Sequence, residues 1–521
     1  MNYNKRKYNL ISMLSRVQSA SLYGIEAHPV EVEVDIGNRG LPHFYIVGLP
    51  DASVKESRDR VRAALKNTGF NMPLRPITIN LAPADLKKEG SAFDLPIAVG
   101  LTAAEGLLDK DRLPGYLITG ELSLDGKIKP VKGALSMAML ARQMGAKLIL
   151  PSENGPEAAV VRDVAVLGAN SLPEVIEFLR GDGRLRSFDS ETAPEIAFSY
   201  AGHDEDFLDV KGQEHAKRAL EVAASGGHNA LMVGPPGAGK TMLSRRLPGI
   251  LPPMTFEEAL ETTRIHSVAG LLKGGQALLM SRPFRSPHHT ISDVALVGGG
   301  QFPRPGEVSL AHNGILFLDE LPEFKRGVLE VMRQPIENGD VTVSRAQAAV
   351  TYPARFMLVS AMNPCPCGYL GDERHQCTCT PGAVMRYRSR VSGPLLDRID
   401  IHIEVPAVPY RQLSSDYQSE SSAKIRERVV ATRQIQLQRF SGENVYSNGQ
   451  MKTRHIKKFC RLNDAAQRLL ETAVQKLALS ARAYTRVLKL SRTIADMEGS
   501  ADIGAKHLSE AIQYRSMDRV F

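Results

Sequence analysis

The apolar positions in the first third of the chain keep two rhythms. "VEVEVDI" (30–36) alternates apolar and polar residues, while "PHFYIVG", "ITINLAP" and "AKLILPS" are short apolar runs closed by Gly, Pro or Ser; all four read as strands. "SVKESRDRVRAALKNTG", "DLPIAVGLTAAEGLL" and "ALSMAMLARQMGA" carry apolar residues at helical spacing instead. Strands interleaved with helices predict an α/β or α+β domain over 1–187. The next stretch, "DSETAPEIAFSYAGHDED", is polar and aperiodic and reads as a linker over 188–206. A second α/β segment covers 207–406 and a polar, Ser- and Gln-rich connecting segment covers 407–452. Over 453–521 helical spacing returns, as in "DAAQRLLETAVQKLALSARAYTRVLKLSRTIADMEG". The expected fold is a multidomain α/β protein with a helical C-terminal bundle.

At 521 residues the chain is too long for one hydrophobic core. Its 43% apolar and 23% charged residues are those of an ordinary soluble protein. Nowhere do some 18 uncharged apolar residues run together, and residues 1–17 hold no apolar run of signal-peptide length, so no membrane partner and a cytoplasmic location are expected. The net charge of +8 permits a polyanionic partner without requiring one.

The strongest local signal is "NALMVGPPGAGKTML", an apolar strand that runs into Gly234, Pro235, Pro236, Gly237, Ala238, Gly239, Lys240 and Thr241 and then into a helix. Gly237 and Gly239 let backbone N–H groups converge on phosphate oxygens, Lys240 neutralises the β and γ charges, and the Thr241 hydroxyl is a magnesium ligand. Downstream, "GILFLDE" ends a strand in Asp319, which suits the magnesium hydration shell, and Glu320, which suits the attacking water. A third strand, "RFMLVSAMNP", ends at Asn363, positioned as a γ-phosphate sensor. Together these segments specify an ATPase with ATP and Mg²⁺ as cofactors.

The order of these segments, followed by "LLDRID" and "SAR", resembles the AAA+ ATPases of the magnesium-chelatase and MCM-like group. That resemblance implies that Arg398 is an arginine finger reaching a neighbouring subunit's nucleotide, and that Arg482, with Arg486 as rival, is the sensor of a helical lid. "RPFRSPHHTISDVALVGGG", "PRPGEVSLAHNGILFLDELPEF" and "SGPLLDRIDI" resemble the ComM/YifB family of bacterial AAA+ proteins over nearly the whole chain. This implies a hexameric helicase that drives branch migration of DNA in natural transformation. A magnesium chelatase-like ATPase subunit that acts without DNA is the alternative. His288 and His289, adjacent in sequence, are poorly placed to chelate one metal, and loop packing is preferred to catalysis for them.

In the first domain, "APADLKKEGSAFDLPIAVGLTAAEG" and "ITGELSLDGKIKPVKGALSMAMLARQMGAKLILP" resemble the peptidase domain of Lon. Asp94 falls at the serine position and Leu135 at the lysine position, and neither residue type performs the required chemistry. Ser91 with Lys132, in a shifted register, is the alternative dyad. A non-proteolytic domain kept for assembly or DNA contact is the expectation.

Cys365, Cys367, Cys377 and Cys379 follow the sensor strand, in an insert spanning 365–379. Two pairs of soft ligands on a Gly-containing connector converge on one zinc, with His375 able to replace a thiolate and a disulfide the weaker alternative. The insert is read as a structural brace at a subunit interface. "ENGDVTVSRAQAAVTYPARF" reads as a hairpin that presents Arg345 to single-stranded or branched DNA, and Arg386, Arg388 and Arg390 form a second basic cluster.

Overall fold

The computed structural model of the protein describes residues 13–189, 205–300, 303–345, 348–372, 374–409, 419–443, 445–477 and 479–515. It divides into two units, Met1–Ser199 with Ala259–Leu279, and Tyr200–Glu258 with Met280–Phe521. Residues 259–279, which the sequence pattern places inside the 207–406 segment, belong to the first unit. Most of the linker, 190–204, lies outside the described residues.

The first unit is built on an eight-stranded mixed sheet. Its centre is the hairpin of Leu14–Tyr23 and Glu26–Ile36, where Val30, Val32 and Val34 alternate inward and are fully buried. The helix Asp94–Ala104 is buried along its whole length, so apolar residues occupy every face of it and not only the stripe that its helical spacing marks. Gly100 lets this helix approach the sheet, because a Cβ there would lie 2.7 Å from the Val34 side chain.

The second unit contains a five-stranded parallel sheet. Taken in chain order, Ala230–Val233 is the first strand, and it lies between Met357–Met362 and Ile401–Glu404, with Ile315–Leu318 and Phe284–Arg285 beyond. Parallel strands bring the loops after Ala230–Val233, Ile315–Leu318 and Met357–Met362 out on the same carboxyl edge, where ligands of open α/β sheets bind. The helices Glu214–Gly226, Ser422–Arg439, Asp464–Leu477, Ala481–Met497 and Ala505–Gln513 share one continuous core with this sheet. Ser422–Arg439 is a regular helix inside the segment read as a polar connector. Its inward stripe of Ser422, Ile425, Val429, Thr432 and Gln436 is mostly polar, so the apolar period is muted. Asp340–Arg345 and Ala348–Pro353 form the expected antiparallel hairpin, pairing Arg345 with Ala348.

Candidate active site

The phosphate loop follows from backbone constraints. Gly234 passes so close to the next strand that a Cβ would lie 2.0 Å from the Val405 carbonyl oxygen. Gly237 and Gly239 take φ values of +75° and +90° with nothing within 4 Å of a Cβ, which leaves their peptides open to a cavity of about 380 Å³. That cavity is bounded by the loop, Lys240, Thr241, Asp319, Glu320 and Asn363. Lys240 starts the following helix, Lys240–Arg246, and its buried ammonium donates to the Gly234 and Pro235 carbonyls at 2.7 and 2.9 Å and to Asn363 Oδ1 at 3.1 Å. Burial lowers its pKa, while Asp319 and Glu320 pull the other way. A desolvated ammonium held by carbonyl and amide oxygens beside an open nest of N–H groups suits phosphate oxygens.

Thr241 Oγ1 donates to Asp319 Oδ2 at 2.7 Å, so a hydroxyl and a carboxylate, both hard oxygen ligands, meet where magnesium would be held. Glu320 sits at φ +52°, outside the helical and strand regions, and its Oε2 lies 3.3 Å from His289 Nδ1. The His288 ring packs 4.1 Å from that of His289, and Phe324 meets His289 edge-on. His289 therefore touches the carboxylate assigned to the water. The sequence marked the histidine pair without showing this contact.

Arg398 lies on the opposite edge of the sheet. Ile401 pairs with Ala230 at the amino end of both strands, whereas the phosphate loop leaves the carboxyl end of Ala230–Val233. The backbone fixes this placement: Asn229 Nδ2 donates to the Arg398 carbonyl at 3.1 Å, and Asp400 Oδ2 accepts the Asn229 N–H at 3.0 Å. The buried Arg398 guanidinium donates to the Pro394 carbonyl and to Glu337 Oε1, both at 2.5 Å. Arg482, half exposed, lies 3.6 Å from the same Glu337 oxygen. Arg486 is different, because it pairs with Asp400. Burial pushes the Asp400 carboxyl up, but Arg486 and then His228 hold it well below the usual carboxylate range. Glu337 carries no recognisable motif, and its role of gathering two arginines was not legible in the sequence.

Family models for the magnesium chelatase subunit ChlI match residues 206–413 and 32–154, and one for the ChlI C-terminal region matches 419–515. The chain is 46% identical to Competence protein ComM of Haemophilus influenzae, covering 97% of this chain and 98% of that protein. The same identity and coverage hold for YifB of Escherichia coli. The Magnesium-chelatase 38 kDa subunit of Rhodobacter capsulatus is 26% identical over 38% of this chain and 55% of its own length. The chain belongs to the ComM/YifB family. Its nucleotide core is accordingly the AAA+ type of magnesium chelatase.

Of the two positions that the sequence resemblance aligned with a peptidase dyad in this ComM/YifB chain, Asp94 lies in a buried ion pair and Leu135 in the apolar core. Asp94 opens the helix Asp94–Ala104 and receives Arg60 Nε and Nη2 at 2.7 and 3.0 Å and the Leu122 N–H at 3.2 Å. Burial pushes its pKa up and Arg60 opposes the shift. Leu135 is fully buried. The Ser91 hydroxyl donates to Glu121, and exposed Lys132 lies against Gly270.

The four cysteines of this family member converge. Cys365 Sγ is 3.4 Å from Cys367 Sγ and 3.7 Å from Cys377 Sγ, Cys367 Sγ is 3.6 Å from Cys377 Sγ, and all four sulfurs fall within 4.8 Å of one another. Thiolates on tetrahedral zinc, with bonds of ~2.3 Å, stand ~3.8 Å apart, so the set fits one zinc ion with four protein ligands. The N–H groups of Tyr369 and Thr378 draw the Cys367 thiol down to about 6, whereas at Cys377 and Cys379 a backbone N–H bond is outweighed by burial and the neighbouring sulfurs, which push the thiols up. His375 points elsewhere. Its ring packs 4.8 Å from that of Tyr369 and its Nδ1 lies 3.5 Å from Asp372.

The Arg345 side chain lies outside the described residues. The basic cluster divides: Arg388 donates to the Pro364 carbonyl at 3.1 Å, Arg390 pairs with Glu323 at 2.9 Å, and Arg386 donates to the Gly382 carbonyl at 3.4 Å. No described helix is long and apolar enough to cross a membrane.

Proposed function

We propose that the chain is one subunit of a homohexameric ring that hydrolyses ATP to move along single-stranded or branched DNA, as a helicase that promotes branch migration. The observation that carries this reading is the separation of Arg398 from its own phosphate loop across the sheet. A guanidinium on the far edge serves nucleotide only when a second copy presents its phosphate loop there. Arg482 shares Glu337 with Arg398, which makes it the better candidate than Arg486 for a lid sensor acting at the same place. The near-complete match to Competence protein ComM supports the DNA-directed reading. The chelatase-titled family models favour a second one, an ATPase subunit working on a protein without DNA. The first domain is read as a Lon-like fold without peptidase activity, because Asp94 is held by Arg60 where a nucleophile would stand.

Bound MgATP supplies the phosphoryl group and the cation that shields its charge; Thr241 and Asp319 would hold that cation. Lys240 turns from its carbonyl partners to the phosphates, and Asn363 orients the ammonium. Glu320 accepts a proton from the attacking water at its carboxylate, and His289 positions that carboxylate. Arg398 leaves Glu337 for the neighbour's phosphates as charge develops there.

Subunit mixing tests the ring. Arg398→Ala protein is expected to bind nucleotide but lose about 10³-fold in turnover, as arginine fingers do. Mixed with inactive Lys240→Ala subunits, it should regain part of the activity at interfaces that combine an intact loop with an intact finger. Full activity of Arg398→Ala alone contradicts the assignment.

A further inference from the structure

The geometry points to the four-cysteine site as a metal-held brace for the phosphate loop, so that zinc on Cys365, Cys367, Cys377 and Cys379 sets the affinity for nucleotide; this rests on the nucleotide reading of that loop. Two connections run from the ligands to the loop. Cys365 stands two residues after Asn363, whose Oδ1 accepts from the Lys240 ammonium at 3.1 Å. Gly368, directly after Cys367, lies against the loop itself: a Cβ built on it would fall 2.6 Å from Pro236 Cδ and 2.8 Å from Pro236 Cγ. Its φ of +89° suits glycine, and its N–H donates to the Cys365 carbonyl at 3.0 Å, closing a tight turn between two ligands.

The far arm is anchored as well. Cys379 precedes Thr380, which caps the helix Pro381–Arg388, and Arg388 at the end of that helix donates to the Pro364 carbonyl at 3.1 Å. The cluster thus ties the end of the strand Met357–Met362 to the start of the next helix, with the turn between the first two ligands resting on Pro236. Little else holds it in place. Among the described residues of 365–379 only Cys365 and Gly368 are buried, so the insert has no apolar core of its own, and a bound ion would supply its fold. Once the shared cation is lost, nothing ties the four sulfurs together and the two arms are free to separate. The contact at Pro236 then relaxes, and the phosphate loop loses part of its pre-organisation for nucleotide.

The measurement is MgADP affinity, read by calorimetric titration on full-length protein under reducing conditions, alongside elemental analysis. Protein purified without chelator should carry about one zinc per chain. Removing the metal should weaken MgADP binding about tenfold, the scale of losses when groups supporting a site are removed, and adding zinc back should restore it. Cys377→Ser should lose zinc and show the same weakened affinity. Gly368→Ala keeps all four thiols but drives a methyl into Pro236, so it should retain zinc and still bind MgADP more weakly; this second variant keeps the test decisive if Cys377→Ser fails to fold. Zinc-free protein as purified, MgADP affinity unchanged on metal removal, or wild-type affinity in Gly368→Ala would each overturn the inference. A zinc-loaded wild type that binds no MgADP would overturn the nucleotide reading of the loop and this inference with it, whereas MgADP binding that is abolished by Lys240→Ala but indifferent to zinc overturns the brace alone.

Discussion

Four residues apart on the helix Ala481–Met497, Arg482 and Arg486 face carboxylates in different settings. Arg486 neutralises the buried Asp400, while Arg482 is half exposed beside Glu337. Arg486→Ala leaves the buried Asp400 carboxylate with His228 and the Asn229 N–H but no guanidinium, and should cost about 3 kcal/mol of stability, seen as a lower denaturant midpoint. Arg482→Ala should leave that midpoint within about 0.5 kcal/mol of wild type and act on turnover instead. The pH dependence follows from the Asp400 carboxyl, whose folded pKa lies below its unfolded value of ~3.9. Its contribution is fully present above the unfolded value and fades as pH falls through and below it towards the folded one. The stability gap between wild type and Asp400→Asn should therefore be widest near neutrality and narrow below about pH 4 in unfolding titrations. At the nucleotide, Glu320→Gln should keep MgATP binding and lose at least about 10²-fold in turnover, because an amide cannot take the water's proton. The sequence made Lys240, Thr241, Asp319 and Glu320 legible because the phosphate loop and its carboxylates carry their chemistry in consecutive residues. His289 at Glu320, Glu337 at Arg398 and Gly368 at Pro236 are contacts made by folding between distant segments, and no local pattern encodes them.

Among the elements, strands and helices with a clean period were legible. The helix Ser422–Arg439 was not, because Ser422, Thr432 and Gln436 take three of the five places in its buried stripe; the Gln436 amide donates to the Ser225 carbonyl and accepts the Asn448 N–H. The helix Asp94–Ala104 opens on a buried carboxylate that a single guanidinium holds. Its buried Asp94 depends on Arg60, so Arg60→Met should destabilise the protein by about 3–5 kcal/mol, with a lower melting temperature and no peptidase activity gained. The Asp340–Arg345 and Ala348–Pro353 hairpin gives the motor reading its own element-scale test. Neutralising Arg345 should leave basal hydrolysis intact, since the residues around Lys240 lie elsewhere, and reduce the salt dependence of DNA binding by about one phosphate contact.

At the scale of the whole molecule, the proposed motor rests on Arg398 lying away from its own phosphate loop and on a hairpin carried by the same unit. Basic proteins often bind DNA weakly without working on it, so affinity alone decides little. What separates a motor from a chelatase-like subunit is coupling between the two ligands. The direct measurement is the steady-state rate of ATP hydrolysis by the wild-type protein at low salt, with and without single-stranded and forked DNA. The account predicts a faster rate with DNA that declines as salt is raised, and an Arg345→Ala protein that retains the basal rate but loses the stimulation. A wild type whose hydrolysis is the same with and without DNA throughout the low-salt range would contradict the motor reading and leave the ATPase to a protein partner.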